Sequence, residues 1–317
     1  MQKVVIIGAK GMLGQELVRT FDNDMNYEMV AWDREDVDVR NFEELSQKLM
    51  KEMPDVIYNA VAYNAVDACE EDDEEYQKAK ILNGKLPEVL AKLSKDIGAT
   101  LVHYSTDYVF DGERPVYRGG IKNPNCCGQG CEDCMYMGPE EKLPFFAYHE
   151  NDEARPLSRY GRSKLMGEEN VEKYAKDYYI IRLSKLFGLP ASSTAGKKSF
   201  FDIMLELGKK NDNVEVVNGE TSKFTYAPDL ADESKKIFEQ NLDSGIYHIA
   251  NDGAVTWYDG VVELYKIVGL DTKIKAVSPE TFPRPAKRPN SSVLKVTKIA
   301  PLRNYKEALK EYINSKA

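Results

Sequence analysis

Long apolar runs and a surplus of positive charge are both missing from this sequence. No apolar run approaches the roughly 18 residues that a membrane-spanning helix needs, and the N-terminal run from Val4 to Ala9 is too short for a signal-peptide core. The formal net charge is −9, whereas nonspecific binding to nucleic acid needs a basic face. These absences predict a cytoplasmic protein with neither a membrane nor a nucleic-acid partner.

Histidine and cysteine are scarce as well. The three histidines have no spacing suited to a shared metal ion. Four of the five cysteines fall within one glycine-rich stretch, inside a segment at about 113–150 that we interpret as an insertion; they are Cys126, Cys127, Cys131 and Cys134. In a cytoplasmic chain such a cluster favours metal ligation over disulfides, and a structural zinc is the first expectation. A partial iron–sulfur pattern and free thiols stay as alternatives.

The N-terminal residues predict a strand, a tight turn and a helix. The apolar run Val4–Ile7 leads into Gly8, Gly11 and Gly14, and a helical pattern of apolar residues follows. Glycines at such spacing allow a backbone to approach a pyrophosphate, and the helix N-terminus supplies amides to it. A dinucleotide site is the favoured interpretation, and a purely structural glycine turn is the alternative.

The chain then alternates strand-like and helical segments, which predicts an α/β fold with a doubly wound parallel sheet of the Rossmann type. Beyond residue 187 the pattern becomes mixed, and a smaller mixed α/β C-terminal lobe is expected to cover the substrate. We assign 1–187 and about 213–250 to the dinucleotide-binding domain. The substrate lobe is assigned to about 188–212 and 251–317.

Hydroxyl side chains follow the strand that begins at Leu101, and Tyr160 and Lys164 lie downstream at a spacing that places both on one helix face. A hydride attacking a ketone leaves negative charge on the oxygen, so an acid must deliver a proton. Tyr160 is the candidate acid, and the ammonium of Lys164 is expected to lower its pKa. Thr106 would donate to the same oxygen. The pairs Tyr76 with Lys80 and Tyr312 with Lys316 share the spacing, so a surface tyrosine and lysine are the alternative.

Five blocks of sequence carry a family resemblance: the glycine turn, Asn59–Asp67, Ser105–Gly112, Tyr160 with Lys164, and Arg284–Ser291. In this order they resemble the extended short-chain dehydrogenases/reductases, and most closely the dTDP-4-dehydrorhamnose reductase family. The resemblance implies NADH- or NADPH-dependent reduction of a nucleotide-linked 4-keto-6-deoxysugar. It also implies a homodimer, and a Lys164 that holds the nicotinamide ribose.

For the cofactor, the acid Asp33 at the end of the second strand slightly favours NADH, since a carboxylate accepts from a ribose 2′-hydroxyl, whereas the neighbouring Arg34 would suit a 2′-phosphate. Asn83 matches a family residue that supports the tyrosine, with a surface asparagine as the alternative. The full set of expected cofactor contacts is Gly8, Gly11, Met12, Leu13, Gly14, Asp33, Arg34, Asp38, Val39, Asn59, Ala60, Val61, Tyr63, Tyr160 and Lys164.

For the substrate, the expected contacts are Ser105, Tyr108, Lys185, Arg284 and Arg288. The two arginines lie in a proline-containing loop and suit a diphosphate, with an exposed basic loop as the alternative. Lys185 stands where rhamnose-forming reductases carry a tryptophan, and the segment from Glu220 also departs from their pattern. The reaction type survives these departures, and the identity of the sugar stays open.

Two further functions are compatible with the fold. One is an epimerase or dehydratase of nucleotide sugars, but the acid pair that dehydratases carry beside the threonine is missing after Thr106. The other is a non-catalytic regulatory subunit, like that of methionine adenosyltransferase, which resembles the same family. The presence of Thr106, Tyr160 and Lys164 together favours catalysis.

Overall fold

The computed structural model of the chain describes residues 1–22, 24–113, 135–137, 142–192 and 198–316. Its strands are β1 Gln2–Ile7, β2 Tyr27–Trp32, β3 Val56–Asn59, β4 Thr100–Thr106, β5 Met135–Met137, β6 Lys142–Tyr148, β7 Tyr178–Leu183, β8 Leu186–Phe187, β9 Asn213–Val217, β10 Ser222–Lys223, β11 Thr225–Tyr226, β12 Gly245–His248, β13 Asn251–Asp252, β14 Ala254–Val255, β15 Lys273–Val277, β16 Val293–Leu294 and β17 Leu302–Asn304.

The α-helices are α1 Met12–Phe21, α2 Phe42–Glu52, α3 Ala68–Glu71, α4 Asp73–Ala79, α5 Leu86–Ile97, α6 Arg159–Tyr174, α7 Phe200–Lys210, α8 Ala227–Glu239, α9 Trp257–Val268 and α10 Tyr305–Asn314. A π-helix, Lys80–Lys85, joins α4 to α5, and single 3-10 turns occur at Asp107–Val109 and Pro279–Thr281. None of the helices in the described ranges is both long and apolar enough to cross a membrane.

Six parallel strands form the central sheet in the order β12-β7-β4-β3-β1-β2. Apolar cores cover both faces, with α1 and α8 packed on one side and α2 and α5 on the other. The predicted doubly wound fold is therefore confirmed. The chain passes from β1 outward to β2 and then back to β3 on the other side of β1. The carboxyl ends of β1 and β3 flank this reversal, which is where open α/β sheets bind ligands.

A separate core lies in the C-terminal lobe, where α7, α9 and α10 pack around aromatic side chains such as Phe201 and Phe224. Strand β9 belongs to this lobe, because it pairs with β15 and its inward valines, Val214 and Val216, join the same core. Within the segment 213–250 that was assigned to the dinucleotide-binding domain, β9 therefore packs with the C-terminal lobe. Helix α8 packs on the central sheet, and β12 is one of its strands.

Candidate active site

The glycine turn after β1 packs tightly against the start of helix α1 because Gly8 and Gly14 carry no side chains. Gly8 has a φ of +85°, and a Cβ on Gly14 would lie 1.9 Å from the Gly8 carbonyl oxygen. Helix α1 begins directly after Gly11, whose position provides no side-chain cap for the first amides. Those amides are free to bind phosphate oxygens at the positive end of the helix. The turn therefore fits the pyrophosphate of a dinucleotide.

Asp33 is held next to this turn. Its carboxylate accepts hydrogen bonds from the backbone amides of Lys10 and Arg34, each at 2.8 Å. The Arg34 side chain is exposed. A carboxylate fixed in this position can accept from a ribose hydroxyl and repels a phosphate at the same place.

The side chains of the other expected cofactor residues differ in burial and in hydrogen bonding. Leu13 is buried in the apolar core, so only its backbone amide faces the turn. The Asp38 carboxylate is already paired with Arg40. Asn59 is buried, accepts from the Val61 amide and contacts the His103 ring. Its side chain therefore shapes the turn after β3. Partly buried positions are Met12, Val39, Ala60, Val61 and Tyr63.

The segment after β3 links the glycine turn to helix α6. Val61 lies against Gly8 at its start, and Asn64 accepts a hydrogen bond from the Tyr160 hydroxyl at 3.3 Å. Between them, the backbone of Tyr63 exchanges two hydrogen bonds with the Asn83 side chain, which also donates to Ser163 of α6. Asn83 is fully buried in the π-helix, so the alternative of a surface asparagine is wrong.

Thr106, Tyr160 and Lys164 come together at the carboxyl end of β4. Ser158 caps α6 by accepting from the Gly161 amide, and this start places Tyr160 and Lys164 on the buried face. Their exposed fractions are 9% for Thr106, 8% for Tyr160 and 2% for Lys164. The Lys164 ammonium donates to the Tyr104 carbonyl at 2.5 Å. The hydroxyl, phenol and ammonium groups thus share one enclosed site.

The electrostatics of this site differ from the expectation. Burial, and then the charge of Asp107, raise the pKa of Tyr160 above its usual value. Burial lowers the pKa of Lys164 to about 8, with an opposing effect from Glu168. The predicted lowering of the tyrosine pKa by Lys164 is therefore wrong for this structure, because desolvation of the phenolate is the largest effect on the Tyr160 pKa. A tyrosine that keeps its proton is suited to act as an acid.

Ser105 does not face this site. Side chains alternate along a strand, so Ser105 points away from the side of Thr106 and donates to the buried carboxylate of Glu168. Glu168 in turn pairs with Arg182, whose Nη2 lies 2.6 Å from the carboxylate. The prediction of Ser105 as a substrate contact is contradicted by this geometry.

Asp107 also belongs to the site, although the sequence motifs did not identify it as a functional residue. Its buried carboxylate accepts from the Thr106 hydroxyl at 3.1 Å and from Ser292 of the C-terminal loop at 2.6 Å. Burial raises the pKa of Asp107 to about 6. The sequence shows Ser291 and Ser292 directly after the arginine loop. It does not show that Ser292 contacts Asp107, because the two residues are 185 positions apart.

On the substrate side, the Tyr108 ring meets the Tyr160 ring edge-on at 6.2 Å between centroids. Arg288 pairs with both carboxylate oxygens of Asp67, and Arg284 pairs with Glu220. The alternative of a solvated basic loop is therefore wrong for these arginines, since both carry carboxylate partners.

Lys185 has a φ of +41°, a backbone conformation that residues other than glycine rarely adopt. Its ammonium donates to the carbonyls of Glu220 and Val255 at 3.1 Å each, and it lies 4.5 Å from the centre of the Trp257 ring. Burial lowers the pKa of Lys185 to about 7. The Lys185 cation thus contacts the face of an aromatic residue of the C-terminal lobe.

The model of the RmlD substrate binding domain family matches residues 1–317. This chain belongs to that family. Among curated proteins, the spore coat polysaccharide biosynthesis protein SpsK of Bacillus subtilis is 31% identical over all of this chain and 99% of its own length. A dTDP-4-dehydrorhamnose reductase of Burkholderia thailandensis is 30% identical, with 92% of this chain and 90% of that protein covered.

Solved structures agree with the family. A dTDP-4-dehydrorhamnose reductase from Clostridium acetobutylicum matches with a TM-score of 0.82 and 34% identity over 99% of both chains. The corresponding reductase from Bacillus anthracis, solved in complex with NADP, has the same TM-score at 26% identity, again over 99% of both chains. The resemblance predicted from the sequence blocks is confirmed.

The four clustered cysteines of this RmlD family member lie outside the described residues. Within the ranges that are described, no group of histidine, cysteine or acidic side chains is arranged to hold a metal ion. Cys69 is buried and free, and packs near Tyr160.

Proposed function

We propose that this RmlD family member is an NAD(P)H-dependent reductase of a nucleotide-linked 4-keto-6-deoxysugar, of the dTDP-4-dehydrorhamnose reductase type. The observation that carries the proposal is the convergence of Thr106, Tyr160 and Lys164 beside a turn that fits a dinucleotide pyrophosphate. The names of the relatives with 30% and 34% identity support the reaction class. The regulatory alternative loses support, because a binding subunit does not need an enclosed proton donor.

Each residue of the trio has a proposed task at the sugar carbonyl. When bound, the reduced nicotinamide supplies the hydride. Tyr160 turns from Asn64 to the carbonyl oxygen and delivers its hydroxyl proton as negative charge develops there. Thr106 turns its hydroxyl from Asp107 and donates a second hydrogen bond to that oxygen. The tyrosinate that remains takes up a proton from solvent before the next turnover, and the Lys164 ammonium stabilises it in the meantime.

The cofactor preference is inferred from Asp33. Its carboxylate is fixed by two backbone amides at the end of β2, so a 2′-phosphate would meet negative charge there. We therefore favour NADH over NADPH, although a relative was solved with NADP. On the substrate side, the proposed site is completed by Tyr108, Lys185, Arg284 and Arg288.

The function is tested by cofactor turnover. The purified protein is mixed with NADH or NADPH and dTDP-linked 4-keto-6-deoxysugars, and the loss of nicotinamide absorbance is followed. Oxidation of one cofactor per product formed supports a reductase, with the higher kcat/KM expected for NADH. Product without net oxidation would indicate an epimerase. Nucleotide binding without product across several sugars would indicate the regulatory role.

The activity of the wild-type protein is expected to fall as the pH rises through about 8. Burial places the pKa of Lys164 at about 8, so its ammonium is present below that pH and lost above it. The measurement is kcat/KM between pH 6 and 10. Lys185→Met serves as the control, because the pKa of Lys185 is about 7 and its removal should leave the basic limb in place. A profile that stays flat to pH 9.5 would contradict the role of Lys164.

Two expectations from the sequence stay predictions. A structural zinc at the cysteine cluster is tested by metal analysis of the purified protein with and without Cys131→Ser, where loss of one equivalent in the variant is expected. The homodimer is tested by the mass of the protein in solution.

A further inference from the structure

The carboxylates that pair with Arg284 and Arg288 matter because these arginines lie beside the proposed sugar site. Burial raises the pKa of the Tyr108 hydroxyl to about 12, and the charges of both guanidinium groups partly offset this rise. The Tyr108 ring contacts the catalytic Tyr160. An anion bound by the arginines would therefore sit next to the sugar that Tyr160 protonates.

Both terminal nitrogens of Arg288 are bonded to Asp67. Its Nη2 donates to one carboxylate oxygen at 2.7 Å, its Nη1 donates to the other, and the Ala286 carbonyl takes a further bond from Nη1. The Ala286 amide also donates to Asp67, at 3.1 Å. The fork of Arg288, which matches a phosphate as well as a carboxylate, is thus occupied by a side chain of the protein itself.

The two pairs differ in how easily they can separate. The Asp67 side chain is 39% exposed, whereas its partner Arg288 is 10% exposed. Asp67 can therefore turn into water when another anion replaces it, while the arginine stays in place. Glu220 is 7% exposed and also accepts from the Trp257 indole at 3.2 Å, so breaking its pair with Arg284 would leave a buried charge without its cation.

We propose that Asp67 is an affinity-determining residue that occupies the Arg288 fork until the diphosphate of the substrate displaces it, while Glu220 holds Arg284 permanently in position. This inference rests on the proposed function, because it assumes a nucleotide-linked substrate. A diphosphate carries more charge than a carboxylate and offers several oxygens, which lets it replace both bonds that Asp67 makes. The energy spent on displacing Asp67 is subtracted from the energy of binding.

The test is the binding of thymidine diphosphate to the full-length chain by titration calorimetry. Asp67→Asn removes the competing charge and keeps an oxygen that can accept from the Ala286 amide. We expect the dissociation constant to fall at least about threefold, as removal of a partly exposed ion pair allows. Asp67→Ser repeats the measurement with a smaller side chain and should give the same direction.

Asp229→Asn is the matched control. Asp229 forms a similar two-oxygen pair with Arg303, between α8 and β17, and its loss changes the net charge by the same amount. Binding of thymidine diphosphate by this variant should equal that of the wild type. Unchanged or weaker binding by both Asp67 variants would overturn the inference and show that Asp67 only supports the loop. Because calorimetry needs no turnover, tighter binding without reductase activity would remove the proposed function and leave this inference standing.

Discussion

Tyr160→Phe will reduce kcat by about 100- to 10,000-fold, the range that general acids contribute, and will leave cofactor affinity nearly unchanged. The phenol is buried, its pKa is raised, and its proton is directed at Asn64 beside the expected position of the sugar. Phenylalanine keeps the ring and its contact with Tyr108 but has no proton to deliver. The measurements are steady-state kinetics and a fluorescence titration with NADH.

Tyr76→Phe is the control for that experiment. Tyr76 also precedes a lysine by four residues, and its ring packs near Tyr160. It makes cation–π contacts with Lys80 and Arg159 through the ring face, which the substitution preserves. Turnover close to the wild type is expected. Equal losses in both variants would point to a disturbed fold, and full activity of Tyr160→Phe would refute the proposed acid.

Arg182→Met will lower the free energy of unfolding by about 3–5 kcal/mol, the range for breaking one side of a buried ion pair. Arg182 and Glu168 are both fully buried and joined by bonds of 2.6 and 3.0 Å. Methionine removes the guanidinium that is bonded to both carboxylate oxygens of Glu168, whereas the Ser105 hydroxyl still donates to that carboxylate. Urea denaturation measures the change.

A second substitution tests this cause. Adding Glu168→Gln to Arg182→Met removes the buried carboxylate charge and should restore at least about 1 kcal/mol, a coupling typical of contacting residues. Arg155→Met breaks an exposed pair with Glu153 and should cost less than about 1 kcal/mol. If the double variant is no more stable than Arg182→Met, the loss comes from packing against Phe110 and not from charge.

Local patterns predicted most of the elements. The apolar runs became β1, β3, β4 and β7, because fully buried parallel strands need continuous hydrophobic stretches. The sequence shows one helical pattern over residues 74–96, whereas the structure divides this segment into α4, the π-helix and α5. The wider π turn brings Asn83 inward, and its fit against Ser163 depends on a helix 80 residues away. No local pattern carries that information.

In the candidate site, too, local sequence identified some residues and only the fold identified the others. Tyr160, Lys164 and Thr106 could be named because strand ends and helix spacing determine which side chains meet. The choice between Ser105 and Thr106 could not be made, since it depends on which face of β4 meets Glu168. The partners of the loop arginines were also missed, because each guanidinium can pair with any carboxylate that the fold brings near.

The sequence alone determined the individual strands, the glycine turn and the helix face shared by Tyr160 and Lys164, since each of these depends on residues within a few positions of one another. Only the tertiary structure decided how the charges are paired. Asp67 and Arg288 lie 221 positions apart, and Lys185 reaches carbonyls of the C-terminal lobe. Electrostatic energies depend on distance and burial in space, so the protonation of Tyr160 and Lys164 and the occupancy of the arginines follow from packing and not from order along the chain.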